Sequence, residues 1–208
     1  MTVLLLIRHG ETDAVGRRLV GRLPGVPLNA RGREQAERLA ATLKGVPLAA
    51  VYSSPLERAV ETAEPIARAH GLTPVVRDGL NEADFGDWTG LEFRELGTRP
   101  DFRRWNEERS AMRPPRGEHV TEIQARLVRE LLELARQHPD VTVAVVGHAD
   151  PLRAAIASFV GLPSDLLLRI ELLPASISAL RIAPGGATLL CSNLTLTSDG
   201  RFVIPHAP

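Results

Sequence analysis

The stretch Val3-Leu4-Leu5-Leu6-Ile7-Arg8-His9-Gly10-Glu11-Thr12 points to the fold class, because it contains an unbroken apolar run that polar residues follow directly. The consecutive β-branched residues and leucines from Val3 to Ile7 are typical of a strand that is covered on both faces. Similar runs extend from Leu48 to Tyr52 and from Val141 to Val146. We therefore predict three buried strands.

Segments with a helical period lie between these runs. One apolar stripe occupies residues 36–43, and Asn29 precedes it as a predicted N-cap. Another covers residues 120–134 and is expected to stop before Pro139, since proline interrupts a helix. Both segments are predicted to be amphipathic helices.

Two further helix starts are marked by a proline that follows a capping residue. Ser54-Pro55-Leu56-Glu57 combines a serine cap, a proline in the first turn and a glutamate placed to complete a capping box. Asp150-Pro151 repeats the cap and the proline for a helix that should run to about Val160. Helices are thus expected to start directly after the second and third strands.

Strands that alternate with helices predict an α/β domain with a largely parallel sheet. Residues 176–182 and 187–196 look like two more strands around Pro184-Gly185-Gly186, which predicts an antiparallel hairpin at one sheet edge. A loose tail is expected after Ile204.

The composition is that of an ordinary globular protein, and it excludes several classes of partner. The 208 residues are 44% apolar and 24% charged, and 25 basic residues balance 25 acidic ones. No global field therefore attracts nucleic acid or an anionic membrane. A single cysteine, Cys191, rules out an internal disulfide framework and a cysteine-based metal cluster. The N-terminal apolar run is too short to span a membrane, so we expect a cytoplasmic protein.

Residues 81–116 differ in character from the rest of the chain. They contain both tryptophans and three of the five phenylalanines, together with many arginines. We predict a lid-like excursion of loops and short helices within a single domain of residues 1–208. Its arginines suggest an additional acidic group on a substrate, but a solvated helix face paired with Glu95, Glu107 and Glu108 is the favoured interpretation; the arginines are Arg94, Arg99, Arg103, Arg104, Arg109, Arg113 and Arg116.

Polar side chains follow each buried strand at the point where the strand ends. The first strand leads into Arg8 and His9, the second into a helix that carries Arg58, and the third into His148 with Arg153 close behind. Parallel sheets bind ligands beyond the carboxyl ends of their strands, so these side chains are expected to meet. Such a cationic cluster is favourable when it holds a dianion, and phosphate fits this description.

The chain resembles the histidine phosphatase superfamily, which includes the cofactor-dependent phosphoglycerate mutases. The resemblance is specific because five motifs occur in the right order over most of the chain; they are residues 6–12 (LIRHGET), 27–36 (PLNARGREQA), 53–63 (SSPLERAVETA), 80–90 (LNEADFGDWTG) and Gly147-His148. It implies a three-layer, mostly parallel sheet with helices on both faces, as in phosphoglycerate mutases.

The resemblance also implies roles for the matching residues. His9 is the expected nucleophile, and Arg8, Arg58 and His148 are the expected phosphate ligands. Glu82 is the expected proton donor, an assignment that depends on the resemblance alone. No pattern of metal ligands accompanies these residues, so no metal or other cofactor is expected.

The expected chemistry places demands on the electrostatics of the site. Surrounding positive charge should lower the pKa of His9, and a carbonyl near Gly10 should hold its other ring nitrogen. The pKa of Glu82 must be raised, which the bound dianion and the neighbouring Phe85 and Trp88 are able to do.

Some positions are less certain to belong to the pocket. Val15 stands where many relatives carry asparagine. His119 stands where many phosphatases carry serine, and it either contacts substrate or lies exposed at a helix start. The candidate pocket-lining residues are Thr12, Arg22, His119, Ala149 and Arg153.

Three functions are compatible with the motifs. The Phe85-Gly86-Asp87-Trp88 stretch resembles the bacterial phosphatase branch and favours hydrolysis of a small phosphorylated metabolite. A phosphoglycerate mutase-type phosphomutase is the alternative, and a non-catalytic phosphate-binding module is a distant third. The sheet edge near the C-terminal hairpin is a candidate interface for a homodimer.

Overall fold

The computed structural model describes residues 1–196 and the backbone of residues 202 and 203, so the tail expected after Ile204 lies outside the described residues. Its strands form one sheet in the order β3-β2-β4-β1-β5-β6-β7. They are β1 (Thr2–Arg8), β2 (Leu48–Ser53), β3 (Val75–Val76), β4 (Thr142–Gly147), β5 (Ile177–Ala183), β6 (Gly186–Leu196) and β7 (Phe202–Val203).

The longer of the described helices flank the sheet. The α-helices of the described residues are α1 (Ala30–Leu43), α2 (Glu57–Ala69), α3 (Phe93–Leu96), α4 (Pro100–Glu107), α5 (Val120–Gln137) and α6 (Ala149–Val160). Three 3₁₀ segments are Asp78–Leu80, Gly86–Trp88 and Ser164–Arg169.

The predicted α/β class is confirmed, and the sheet is parallel where the site was expected. Strands β3, β2, β4 and β1 run parallel, whereas β5, β6 and β7 run antiparallel. The predicted hairpin is formed by β5 and β6. Arg8 lies beside Gly147, and Ser53 lies beside Val146, so the carboxyl ends of β1, β2 and β4 reach the same sheet edge.

The sheet separates two apolar cores, because successive strand residues face opposite sides. Leu5 and Ile7 of β1 pack with α1 and α2, while Leu4 and Leu6 pack with α5 and α6. Helices therefore cover both faces, which accounts for the unbroken apolar run in this strand. No helix within residues 1–196 has the length and apolar character needed to cross a membrane.

Two predicted helix starts are wrong, although Asn29 caps α1 as expected by accepting a hydrogen bond from the Gly32 N–H. Helix α2 begins at Glu57 rather than beside Ser54, and α6 begins at Ala149, so that Asp150 lies inside its first turn. Neither start has a side-chain cap. The Ser54 and Asp150 side chains are instead engaged in the contacts described below.

Residues 81–116 pack onto the domain through an aromatic cluster of their own. Trp88 and Trp105 are both buried, with ring centroids 5.4 Å apart, and Phe85 meets Trp105 edge-on at 5.9 Å. The cluster rests on apolar residues of α5 and α6, including Ile123 and Ala154. This packing carries the excursion across the sheet edge where the polar residues gather.

Candidate active site

His9 is held at the end of β1 by its backbone and by the start of α1. Its N–H donates to the Gly147 carbonyl at 3.0 Å, which continues the pairing of β1 with β4. A Cβ added to Gly10 would lie 2.7 Å from the Gly32 carbonyl oxygen, and one added to Gly32 would lie 2.1 Å from the Glu11 carbonyl oxygen. Glycine at both positions therefore allows the helix N-terminus to approach the loop that carries His9.

The His9 ring is fixed in one tautomer by two contacts. Nδ1 lies 2.7 Å from the Gly10 carbonyl, which only accepts, so Nδ1 carries the hydrogen and donates it. Arg58 Nε donates to His9 Nε2 over 3.3 Å, which leaves Nε2 with its lone pair. Burial lowers the pKa of His9 well below its usual value, and the charges of Arg58 and Arg8 lower it further. The imidazole is therefore neutral at physiological pH.

Three buried nitrogen atoms beside His9 have no hydrogen-bond partner among the described residues. They are Nε of Arg8, Nη1 of Arg58 and Nδ1 of His148. Other atoms of the two guanidinium groups are anchored, since Arg8 Nη1 donates to the Leu172 carbonyl at 2.6 Å and Arg58 Nη2 donates to the Gly21 carbonyl at 2.8 Å. The orientation of both arginines is thus fixed while one nitrogen of each stays unpaired. Unpaired buried donors are costly, which favours a site that accommodates an anion.

Ser54 orients the second histidine. His148 is fully buried, its ring centroid lies 5.2 Å from that of His9, and its Nε2 lies 2.7 Å from Ser54 Oγ. The Leu56 N–H donates to the same oxygen at 3.4 Å, so the Ser54 hydroxyl hydrogen is free to point at Nε2. We infer that His148 carries its hydrogen on Nδ1, the unpaired nitrogen. Burial and the neighbouring His9 lower the pKa of His148 well below its usual value.

Glu82 lines the same cleft as Arg8, His9 and Arg58. Its Oε1 accepts a hydrogen bond of 2.8 Å from the Ala83 N–H. Burial raises the pKa of Glu82 to about 7, and the negative charge of Asp150 adds to the rise. A carboxyl with this pKa is protonated in a large fraction of molecules near neutral pH, as a proton donor requires.

Arg22 supports Glu82 from behind rather than lining the cleft. Its Nε donates to the Glu82 carbonyl at 2.7 Å, and its Nη2 donates to Glu118 Oε2 at the same distance. Arg126 also binds Glu118 and donates to the Asn81 carbonyl. The expectation that Arg22 lines the pocket is therefore wrong, because the carbonyl and carboxylate groups around the Glu82 loop hold its guanidinium.

His119 also lies outside the cleft. It is the N-cap of α5, where its Nδ1 accepts from the Thr121 N–H and its own N–H donates to the Glu122 carboxylate. This reciprocal capping box engages Nδ1 and the backbone N–H of a half-buried residue. The alternative that placed His119 at a helix start is the one that the structure supports.

Thr12, Ala149 and Arg153 line the cleft. Arg153 donates to Asp150 at 3.2 Å, and Arg109 donates to the same carboxylate at 3.0 Å. This use of the Asp150 carboxylate explains why Asp150 does not cap α6. Sequence reasoning identified neither Asp150 nor Ser54 as a site residue, because a cap followed by proline was sufficient to explain each.

The arginines of residues 81–116 are mostly paired on the surface. Arg109 is the only one of the seven that lines the cleft. Five others contact carboxylates; the pairs are Arg94 with Glu92, Arg99 with Asp101, Arg104 with Glu108, Arg113 with Glu122 and Arg116 with Asp87. Arg103 donates to the carbonyls of Gly97 and Thr98. The solvated, paired interpretation of these arginines therefore fits the structure better than a second anion site, although only one of the pairs uses an acid that had been expected.

The cleft encloses about 400 Å³ and is open to solvent. Arg8, His9, Arg58 and Glu82 line it, together with side chains of the excursion that include Phe93, Phe102 and Trp105. Among the described residues, no three His, Cys, Asp or Glu side chains are grouped so as to hold a metal ion. Chemically, the arrangement offers a neutral imidazole nitrogen, fixed cationic donors and one carboxyl that titrates near neutrality.

Comparisons with known proteins agree with this geometry. A sequence model of the histidine phosphatase superfamily (branch 1) matches residues 4–195. The chain is 33% identical to phosphoserine phosphatase 1 of Hydrogenobacter thermophilus over 99% of both chains. It is 39% identical to a bifunctional protein of Mycobacterium tuberculosis over 90% of this chain, which spans 52% of that relative's length. The crystal structure of a histidine-to-alanine mutant of Entamoeba histolytica phosphoserine phosphatase with phosphoserine superposes with a TM-score of 0.83 at 26% identity, covering 93% of this chain and 97% of that one.

Proposed function

This chain belongs to the histidine phosphatase superfamily, and on that basis we propose that it is a metal-independent phosphomonoester hydrolase for a small phosphorylated metabolite. The observation that carries the proposal is the set of unpaired buried donors on Arg8, Arg58 and His148 around a neutral His9. A phosphate ester fits this set because its oxygens accept hydrogen bonds from several fixed donors at once. Relatives named as phosphatases support the same reading.

In the first half of the proposed reaction, His9 Nε2 attacks phosphorus. The new N–P bond forms as the P–O bond to the leaving group breaks, and Glu82 gives its proton to the departing oxygen. The product alcohol leaves, and a phosphohistidine remains. Arg8, Arg58 and His148 donate to the phosphoryl oxygens, whose charge is spread widely in the transition state.

In the second half, water replaces the leaving group. Glu82, now a carboxylate, accepts a proton from the water while the water oxygen bonds to phosphorus. The N–P bond breaks, inorganic phosphate is released, and both His9 and Glu82 return to their starting forms. The Nδ1–H bond to the Gly10 carbonyl keeps the ring oriented through both steps. Residues 81–116 would act as the lid-like wall that holds the leaving group.

The proposal is tested with 4-nitrophenyl phosphate in the presence of EDTA. We expect turnover without added metal, and a loss to background in His9→Ala. His119→Ala is the matched control, because this histidine caps a helix outside the cleft and its loss should leave turnover unchanged. Turnover that requires a divalent metal, or an active His9→Ala protein, would refute the mechanism.

Three further aspects are also proposals. A cytoplasmic location is supported by the single cysteine and is tested by fractionation of cells that express the native gene. A single domain over residues 1–208 predicts one cooperative unfolding transition in calorimetry. A homodimer through the C-terminal sheet edge predicts a dimer mass in sedimentation velocity.

A further inference from the structure

Part of the cleft lining, here called the apolar wall, is formed by aliphatic and aromatic side chains. Its side chains include Phe93, Phe102, Trp105, Val20 and Leu168. Phe93 is 37% exposed and Leu168 is 48% exposed, although most large apolar residues of the described chain are buried. Exposed apolar side chains that gather at a cleft mark a surface that binds an apolar group.

The cations of this part of the cleft are already engaged. Arg109 donates to Asp150 and to Asn106, each at 3.0 Å, and its guanidinium lies 3.8 Å from the centre of a Trp105 ring. Arg153 donates to Asp150 and to the Ile170 carbonyl. A carboxylate on the leaving group would therefore compete with Asp150, which is fixed in the protein and pairs with both arginines.

Arg8, Arg18 and Arg58 are the lining arginines that make no ion pair with Asp150. Burial lowers the pKa of Arg8 to about 10, and the charge of Arg153 is the next cause, which places these two arginines near each other. Arg18 is the remaining cation of the lining, and its side chain is exposed without a polar side-chain partner in the described part of the chain. The side chains of the apolar wall offer a leaving group contact mainly with carbon.

We propose that the cleft selects phosphate monoesters whose leaving group carries an aromatic or similarly apolar ring a few bonds from the ester oxygen. Esters with a carboxylate beside the phosphate, such as phosphoserine, are then poor substrates. This inference rests on the proposed phosphatase activity and names its substrate class. The expected substrate class differs from the phosphoserine that the name of one relative, phosphoserine phosphatase 1, suggests.

The first test compares kcat/KM for 2-phenylethyl phosphate, ethyl phosphate and O-phosphoserine. All three are esters of aliphatic alcohols, so their leaving groups demand similar help from a general acid. Burial of the phenyl ring should favour 2-phenylethyl phosphate over ethyl phosphate by roughly 10- to 100-fold. Phosphoserine should be no better than ethyl phosphate. A preference for phosphoserine, or equal values for all three, would overturn the inference.

Variants locate the preference on the wall. Phe93→Ala should lower the ratio of kcat/KM for 2-phenylethyl phosphate to that for ethyl phosphate by about 3- to 10-fold, because one ring contact is lost. Leu168→Ala should lower the ratio in the same direction. Leu190→Ala is the control, since Leu190 is also 48% exposed but lies on β6 outside the cleft, and the ratio should not change. A larger effect from Arg18→Ala than from Phe93→Ala would contradict an apolar subsite.

Binding of non-hydrolysable phosphonates separates this inference from the proposed activity. Calorimetry with 3-phenylpropylphosphonate, propylphosphonate and 2-amino-4-phosphonobutyrate reproduces the three leaving groups without any reaction. Tighter binding of the phenyl compound in the absence of ester turnover would leave the inference standing while the proposed function fails. Turnover of all three esters together with tightest binding of 2-amino-4-phosphonobutyrate would support the proposed function and overturn the inference.

Discussion

Arg58 Nε lies 3.3 Å from His9 Nε2 and donates its hydrogen to the nitrogen that is proposed to attack phosphorus. The contact engages the lone pair of His9 and holds the ring in place in the absence of substrate, and it opens when Nε2 attacks phosphorus. When a phosphoryl group binds, the unpaired Nη1 of Arg58 is available for one of its oxygens. Arg58 would thus have two roles, in orienting the nucleophile and in stabilising charge.

The first prediction concerns these two roles of Arg58. Arg58→Lys should lower kcat/KM for 4-nitrophenyl phosphate by roughly 10²–10³, because a point charge replaces a planar fork with fixed donors. Arg68→Lys is the matched control on the same helix, where the exposed arginine pairs only with Glu37. Retention of most activity in Arg58→Lys would show that charge alone is sufficient.

The second prediction is a pH dependence set by Glu82 and His9. Glu82 has a raised pKa of about 7 and must be protonated to act as an acid, so kcat/KM should fall as pH rises through about 7. The pKa of His9 is lowered, and the ring must be neutral, so activity should persist well below pH 6.5 before protonation of His9 removes it.

Glu82→Gln tests the alkaline limb of this profile. Rates for alkyl phosphates should fall by roughly 10²–10⁴, and the decline of kcat/KM near pH 7 should disappear. With 4-nitrophenyl phosphate the loss should be smaller, since nitrophenolate leaves without a proton. An unchanged alkaline limb in Glu82→Gln would assign that limb to another group.

The third prediction is that Ser54 sets the tautomer of His148. We expect Ser54 Oγ to donate across its 2.7 Å contact with Nε2, so long-range ¹H–¹⁵N spectra of the native protein should show His148 protonated on Nδ1. Ser54→Ala leaves Nε2 without its partner in a buried site, so we expect a mixture of tautomers and about tenfold weaker binding of phosphate.

Ser53→Ala is the control for that variant. Ser53 is equally buried, but its hydroxyl donates to the Ser54 carbonyl rather than to a histidine. It should lose some stability and keep the His148 spectrum. A native spectrum in Ser54→Ala would show that the surrounding packing, and not the hydroxyl, orients this ring.

The fourth prediction concerns the approach of α1 to the His9 loop. Gly32→Ala should destabilise the protein by about 1–3 kcal/mol or more, because its Cβ would lie 2.1 Å from the Glu11 carbonyl oxygen. Gly45→Ala has no atom within 4 Å of its Cβ and should be neutral or slightly stabilising. Urea unfolding of both variants measures the difference, and equal stabilities would contradict the packing described here.

Much of the fold follows from local patterns in the sequence. The apolar runs ending at Ile7, Tyr52 and Val146 predicted the central strands, because a strand buried on both faces has little choice of residue type. The Asn29 cap and the C-terminal hairpin follow from equally local chemistry. The convergence of Arg8, Arg58 and His148 on His9 then follows from parallel pairing alone.

The remaining features depend on contacts between distant parts of the chain. Ser54 and Asp150 carry the pattern of helix caps, yet tertiary partners take up their side chains. Arg22 and His119 have residue types suited to a phosphate pocket, and only the fold shows that Glu118 and the start of α5 bind them. Glu82 has no local signal apart from the motif that resembles the family, since its raised pKa depends on burial and on Asp150.

The most direct measurement is mass spectrometry of the protein quenched at alkaline pH during turnover of a phosphate ester. The account predicts one added phosphoryl group on His9, stable to base and labile to acid, which is absent from His9→Ala and accumulates when Glu82→Gln slows the attack of water. A native protein that turns over substrate with no phosphoryl group on His9, or with the group on another residue, would contradict it.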